Sequence, residues 1–78
     1  EQGIISGITS FGIFVQLPNT VEGLVRLDTL IDDYYEFDQE NYRLVGSNHG
    51  RELRLGDSVN VVCTKVDTLI GTIDFRLC

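Results

Sequence analysis

From Ile8 the chain reads Ile8-Thr9-Ser10-Phe11-Gly12-Ile13-Phe14-Val15-Gln16-Leu17, and Glu22-Gly23-Leu24-Val25-Arg26 follows after one short break. Ile13, Val15 and Leu17 recur at period two, the spacing at which strand side chains share a face. They predict an inward row, with Phe14 and Gln16 on the opposite face. Strict counting sends Phe11 inward too. A β-bulge at Gly12 brings it round beside Phe14, and a glycine inside a strand pattern marks such a place. In so small a chain a phenylalanine pair usually belongs to the core. Arg26, which closes the next strand and can lie across from the pair, argues for the other assignment. Aromatic rings beside a guanidinium make a surface for stacking flat ligands and pairing phosphate, and nucleobases are the common flat ligand.

A length of 78 residues holds one domain, residues 1–78, near the lower limit for a self-sufficient core. Eight glycines and one proline with 42% hydrophobic residues suit a turn-rich β protein rather than a disordered chain. Apolar runs are too short to span a membrane, and no signal-peptide pattern opens the sequence. The absence of methionine suggests a piece of a longer protein. Cys63 and Cys78 are the only thiols, with no CxxC pair or Cys/His cluster, so a zinc site is not expected. Cys63 continues the inward alternation of Val59 and Val61 and reads as a small core hydrophobe facing roughly Arg76. A staple to Cys78 is disfavoured, and a reducing, cytoplasmic setting is the default.

Five strands are predicted, over residues 3–9, 12–17, 21–27, 58–67 and 72–77. Pro18-Asn19 turns the second into the third. In the last strand Ile73, Phe75 and Leu77 point inward, and Thr72, Asp74 and Arg76 outward. The long connection, residues 28–54, opens with a short helical turn at 28–31 capped by Asp28. A small hairpin then pairs residues 34–37 with 42–45, reversing through 38–41, and residues 46–50 form a loop. Five strands with an excursion after the third describe an all-β, OB-fold Greek-key barrel, whose closure removes exposed edges. A six-stranded SH3-like barrel has the same periodicity.

A formal charge of −6 runs against phosphate binding, which favours basic surfaces. Its distribution softens the objection. Asp28, Asp32, Asp33, Glu36, Asp38 and Glu40 stand together without a base, and the rest of the chain is neutral. The acidity sits in one connection and need not face the aromatic strand. Asp32-Asp33 lacks the spacing, turn glycine and terminal glutamate of a calcium loop, so it reads as a solvated acidic face. Tyr34, Tyr35 and Tyr42 are expected to pack the excursion on the barrel. His49 has no acid–base partner in sight. Arg51, Arg54 and Lys65 are candidate phosphate contacts, and Asp67 stabilises the turn before the last strand.

The run Gly7-Ile8-Thr9-Ser10-Phe11-Gly12-Ile13-Phe14-Val15, with Glu22-Gly23-Leu24-Val25, Leu55-Gly56-Asp57-Ser58-Val59, and Val66-Asp67 ahead of Ile73-Asp74-Phe75, resembles the S-one (S1) RNA-binding domain family along essentially the whole chain. The connection, through Leu30 to Asp38, Tyr42 to Gly46 and Gly50 to Asp57, is similar to the version at the C-terminal end of ribonuclease R-type enzymes. The resemblance implies a sequence-tolerant module for single-stranded RNA, serving a processive exoribonuclease that degrades RNA from its 3′ end. It implies magnesium for that parent, held by carboxylates of a separate catalytic domain, and no cofactor or catalytic residue in this chain. It assigns RNA contacts to Phe11, Phe14, Arg26 (where the family typically has histidine) and Asp67. Thr72 stands where the family often has an arginine. The implied partners are single-stranded RNA and the parent's catalytic domain, with the fragment itself monomeric. The competing expectation is an acidic barrel whose excursion docks a basic protein or a neighbouring domain.

Overall fold

The structure is a computed structural model and describes residues 1–30 and 33–77. The chain runs β1 (Gln2–Thr9), β2 (Gly12–Gln16), β3 (Glu22–Arg26), a 3-10 turn (Leu27–Thr29), β4 (Tyr35–Asp38), β5 (Arg43–Gly46), β6 (Glu52–Arg54), β7 (Ser58–Asp67) and β8 (Thr72–Leu77). Five strands close a barrel in the order β1-β2-β3-β8-β7, and β4-β5-β6 form a separate sheet. All barrel pairings are antiparallel except β3 with β8, which is parallel.

Period-two patterning fills the barrel as expected. Ile13 and Val15 of β2, Val25 of β3, Val61 of β7 and Phe75 of β8 are buried against Ile5 and Ile8 of β1. Leu17 and Val59 are buried with them. The turn at Pro18-Asn19 lies where its residues placed it: Thr20 N–H donates to Leu17 O, and Leu17 N–H to Val21 O.

The bulge, by contrast, is in the neighbouring strand. Pairing of β1 with β2 slips between Ile5 and Gly7, so Ser6 is the extra residue. The slip resets the alternation, which is why Ile5 and Ile8, three apart, are both buried. Gly12 is needed for space instead. A Cβ there would run into the Val25 carbonyl oxygen and lie 3.1 Å from Arg26 Cα.

The excursion is more ordered than its sequence suggests. The hairpin pairs Tyr35–Asp38 with Arg43–Gly46, and a third strand, β6, joins β5. Tyr35, Leu44 and Leu53 are buried in the same apolar cluster as the barrel interior, so the two sheets share one core. Tyr34 and Tyr42 do not pack as expected. Both are exposed, Tyr42 lying edge-on to Phe37 at 6.3 Å between ring centroids. The 3-10 turn begins one residue early, and Asp28 makes no capping bond. Arg26 is the N-cap residue, and Thr29 Oγ1 donates to its carbonyl at 2.6 Å.

Cys63 is exposed rather than core. It pairs with Phe75, not Arg76, which faces Val62. The last residue that β7 shares with the β1 side is Val61, whose N–H donates to Glu1 O; past it, among the described residues, β8 alone flanks the strand and the thiol is left exposed. Cys78, Ile31 and Asp32, which carried parts of the sequence reading, lie outside the described residues.

Candidate nucleic-acid interface

β1 and β2 are joined by the two-residue turn Ser10-Phe11, and Thr9 holds it. Its Oγ1 accepts from Phe11 N–H (3.3 Å) and Gly12 N–H (3.2 Å) and donates to Gly12 O (2.9 Å). Phe11 therefore reaches solvent because it sits on a braced turn, and it is 58% exposed. Gly12 pairs with Arg26, and Leu27 N–H donates to Phe11 O at 2.8 Å, which fixes Arg26 beside the Phe11 turn.

Phe14 lies on the outer face of β2, opposite Gly7 and Leu24. A Cβ on Gly7 would sit 3.3 Å from Phe14 Cδ2, so the missing side chain leaves room for the ring to lie on β1. On its other side Phe14 borders a groove of about 480 Å³ shared with Glu22, Leu24, Arg26, Thr72 and Asp74. Another hollow, about 510 Å³, is lined by Gln2, Gly3, Ile4, Gln16, Leu17, Pro18 and Ser58. It has no charged side chain, whereas the Phe14 groove combines an aromatic wall with the Arg26 guanidinium.

Register links these groups. Phe14 faces Leu24, Leu24 is level with Asp74, and Asp74 faces Lys65, one row across β2, β3, β8 and β7. Strands lie about 4.8 Å apart, so Lys65 stands about 14 Å from Phe14 at the Cα level. The structure thus brings Phe11, Phe14 and Arg26 together, with Lys65 exposed further along the same row. Asp67 has another occupation. Its Oδ1 accepts from Leu69 N–H (3.0 Å) and Ile70 N–H (3.3 Å), tying the β7–β8 turn. Gly71 completes that turn at φ +70°, a conformation that suits glycine. Thr72, in place of an arginine, lines the groove, and among the described residues that line it Arg26 is the one cation.

The electrostatics are mixed. Arg26 pairs with Asp28 at 3.3 Å, with both side chains largely exposed. Glu22 Oε2 accepts from Ser6 Oγ at 2.6 Å. Leu24 and Asp74 were not singled out as site residues by sequence reasoning. Asp74 was legible as outward, but its place beside Leu24 depends on the parallel β3–β8 pairing, for which the sequence has no local signal.

Two acids of the excursion, Asp33 and Asp38, act as braces, whereas Glu36 and Glu40 are exposed. Asp33 accepts from Tyr34 N–H (2.6 Å), Asn48 N–H (3.0 Å) and His49 N–H (2.8 Å). Desolvation pushes its carboxyl upward, but the His49, Asn48 and Tyr34 N–H groups together outweigh it and hold it below the usual value. Asp38 is lowered to about 2, first by the Asn41 side chain and then by Arg43. Arg43 also pairs with Glu52, which takes a second bond from Arg54 at 3.0 Å. Among the described residues no three His, Cys, Asp or Glu side chains gather as a metal site needs. Among them, too, no helix is long and apolar enough to cross a membrane.

A small closed barrel with paired surface aromatics and a cation beside a groove defines a class. Residues 2–77 match the family described as S1 RNA binding domain, and the chain belongs to that family. Within it, the chain is 50% identical over 76 residues to ribonuclease R of Aquifex aeolicus, covering 96% of this chain and 11% of that protein. It is 44% identical over 77 residues to ribonuclease R of Escherichia coli, covering 97% of this chain and 10% of that protein. The solved structure of Mycoplasma genitalium RNase R in complex with ribose methylated single-stranded RNA superimposes with a TM-score of 0.92 at 31% identity, over 99% of this chain and 12% of that one. The chain therefore spans about a tenth of the length of these relatives.

Proposed function

We propose that residues 1–78 form a single OB-fold domain that binds single-stranded RNA with little regard to sequence, within a longer ribonuclease R-like 3′-to-5′ exoribonuclease. The observation that carries this reading is the grouping of Phe11, Phe14 and Arg26: one ring exposed on a braced turn, one walling a groove, and a cation that pairs with Gly12 beside the turn and lines the same groove. The barrel order, with an excursion between its third and fourth strands, is that of an OB fold. Bases stack on Phe11 and Phe14, and Arg26 and Lys65 take phosphates. Stacking tolerates sequence because every base has a π face. That the related Mycoplasma genitalium enzyme has been solved with single-stranded RNA supports the same ligand here.

In the parent, which is cytoplasmic, the domain holds substrate beside the catalytic domain. Tethering raises the effective RNA concentration, so a weak intrinsic affinity suffices. Hydrolysis and its magnesium belong to that other domain, and the fragment alone is monomeric and non-catalytic.

The test is a titration of the wild type, Phe11→Ala and Phe14→Ala with an unstructured RNA of about ten nucleotides, within the span of one OB fold. Each stacked base contributes roughly 1–3 kcal/mol, so either substitution should weaken binding about 5- to 150-fold. Circular dichroism should show the fold retained. Equal affinity for the wild type and both variants, or no binding even at low salt, refutes the reading.

A further inference from the structure

We propose that Asp74 selects among bases, making the groove favour those that carry an exocyclic amino group over uracil. This rests on the reading of the Phe14 groove as a base-stacking site and adds a specificity to it.

The register supplies the geometry. Phe14, Leu24 and Asp74 occupy one cross-strand row on three adjacent strands, and all three line the groove. Two strand spacings, about 10 Å, separate Phe14 from Asp74 at the Cα level. A base lying flat on Phe14 and Leu24 therefore turns an edge toward the Asp74 carboxylate.

Among the described residues that carboxylate accepts no hydrogen bond. Thr64 Oγ1 donates at 3.2 Å to the main-chain carbonyl of Asp74 and not to its side chain. Lys65 faces Asp74 in the next strand, yet no ion pair joins them among the described residues. Glu22, the other acid of the groove, already accepts from Ser6. Asp74 is partly buried, and a carboxylate in such a place gains from a ligand that brings an N–H. It also repels phosphate, so the RNA backbone keeps to Arg26 and Lys65 and presents its neutral bases to this position.

The base edges then differ. Cytosine offers an N4 amino donor and adenine an N6 amino donor, whereas uracil turns an O4 acceptor in the same place. A carboxylate accepts from the first two and is repelled by the last. Cytosine and uracil have the same ring size, so comparing them separates hydrogen bonding from stacking area.

The experiment compares oligocytidine and oligouridine of equal length near neutral pH, for the wild type, the isosteric Asp74→Asn and Phe14→Ala. Discrimination of base edges by a well-made bidentate contact is large, and a single contact in an open groove should give about a five-fold preference for oligocytidine. In Asp74→Asn, whose amide can donate to O4, the ratio should fall to about one or reverse. Phe14→Ala should weaken both oligomers and leave whatever remains of the preference unchanged in sign. Equal binding of the two by the wild type, or a preference that survives Asp74→Asn, overturns the base selection while leaving the stacking site intact. Failure of both oligomers to bind, or indifference of both to Phe14→Ala, refutes the stacking site itself and the selection with it.

Discussion

Asp28→Ala should tighten RNA binding, and its size follows from the Arg26 geometry. Asp28 Oδ2 lies 3.3 Å from the Arg26 guanidinium in the free protein. A phosphate arriving at Arg26 must weaken that pair and then sit near the carboxylate. Exposed pairs of this kind contribute about 0.2–1 kcal/mol. The residual repulsion between two unit charges about 6 Å apart in water is about 0.7 kcal/mol, roughly halved by screening at 0.1 M salt. Together the carboxylate opposes binding by about 1 kcal/mol, or about five-fold in Kd. Fluorescence anisotropy with a labelled oligonucleotide at two salt concentrations measures it, and the salt slope should steepen by up to about 0.7 as one cation becomes available. Glu40→Ala is the control. It changes net charge identically but sits in the β4–β5 turn of the outer sheet, so its effect should be under about two-fold. An Asp28→Ala protein that binds no better than Glu40→Ala would mean that Arg26 does not meet phosphate.

Other outcomes follow from packing and titration. Leu44→Ala should cost about 2–5 kcal/mol, out of roughly 4–12 kcal/mol for a domain of this length, and should lower a single cooperative melting transition. Two separate transitions would show that the excursion sheet does not share the barrel core. Gly23→Ala places a Cβ 2.7 Å from two Phe75 ring carbons and 3.0 Å from Ile73 O. Such overpacking costs about 1–3 kcal/mol and should lower Tm by roughly 4–24 °C, a loss that calorimetry would detect and that unchanged melting would refute. Asp38 has a folded pKa lowered from 3.8 to about 2, so it binds its proton later in the folded chain than in the unfolded one. Its stabilisation is complete above the unfolded value and disappears as pH falls through about 2. The Tm gap between wild type and Asp38→Asn should be constant from neutral pH down to about 5 and close between about pH 4 and 2. A gap that persists at the acid end would contradict the assignment.

The inward rows were legible because period two survives wherever a strand is straight. Ile13 and Val15 in β2, Val59 and Val61 in β7, and Phe75 in β8 lie where counting puts them. Counting fails at insertions. The extra residue in β1 is Ser6, beside Gly7, and a serine has no signature that would draw the bulge there from Gly12. A second slip, between Cys63 and Lys65, puts Lys65 opposite Asp74, a pairing the strand pattern alone would miss by one residue. Cys63 kept its phase and still lost its burial, because burial needs a neighbour on both sides and the sequence does not say where a flanking strand stops. β6, with three residues, is too short to show any period. Asp33 was misread for a different reason. Its two partners at Asn48 and His49 lie 15 and 16 residues away, and no local pattern announces them.

The acidic balance takes on a different meaning once each carboxylate is located. Asp33 and Asp38 close turns of the excursion, Asp57 accepts from Arg54 N–H at 3.0 Å ahead of β7, and Asp67 ties the β7–β8 hairpin. Turns need short acceptors, and aspartate is the residue that most readily bonds to the N–H groups two or three positions on. These four carboxylates are thus tied up in the tight turns that link the strands of so short a chain. The charge nevertheless remains, and a polyanion approaching this domain meets few cations in return: Arg26 in the groove, itself paired, exposed Arg76 two residues past Asp74 on β8, and Lys65 beyond. Counterion release from so few contacts is small. On the proposed reading, what favours RNA then comes from contacts that carry no charge, the faces of Phe11 and Phe14. Phe11 stands in water although the core would have gained from it, and Phe14 is only partly covered; on that reading their open faces, more than the sign of the net charge, decide what the domain can hold.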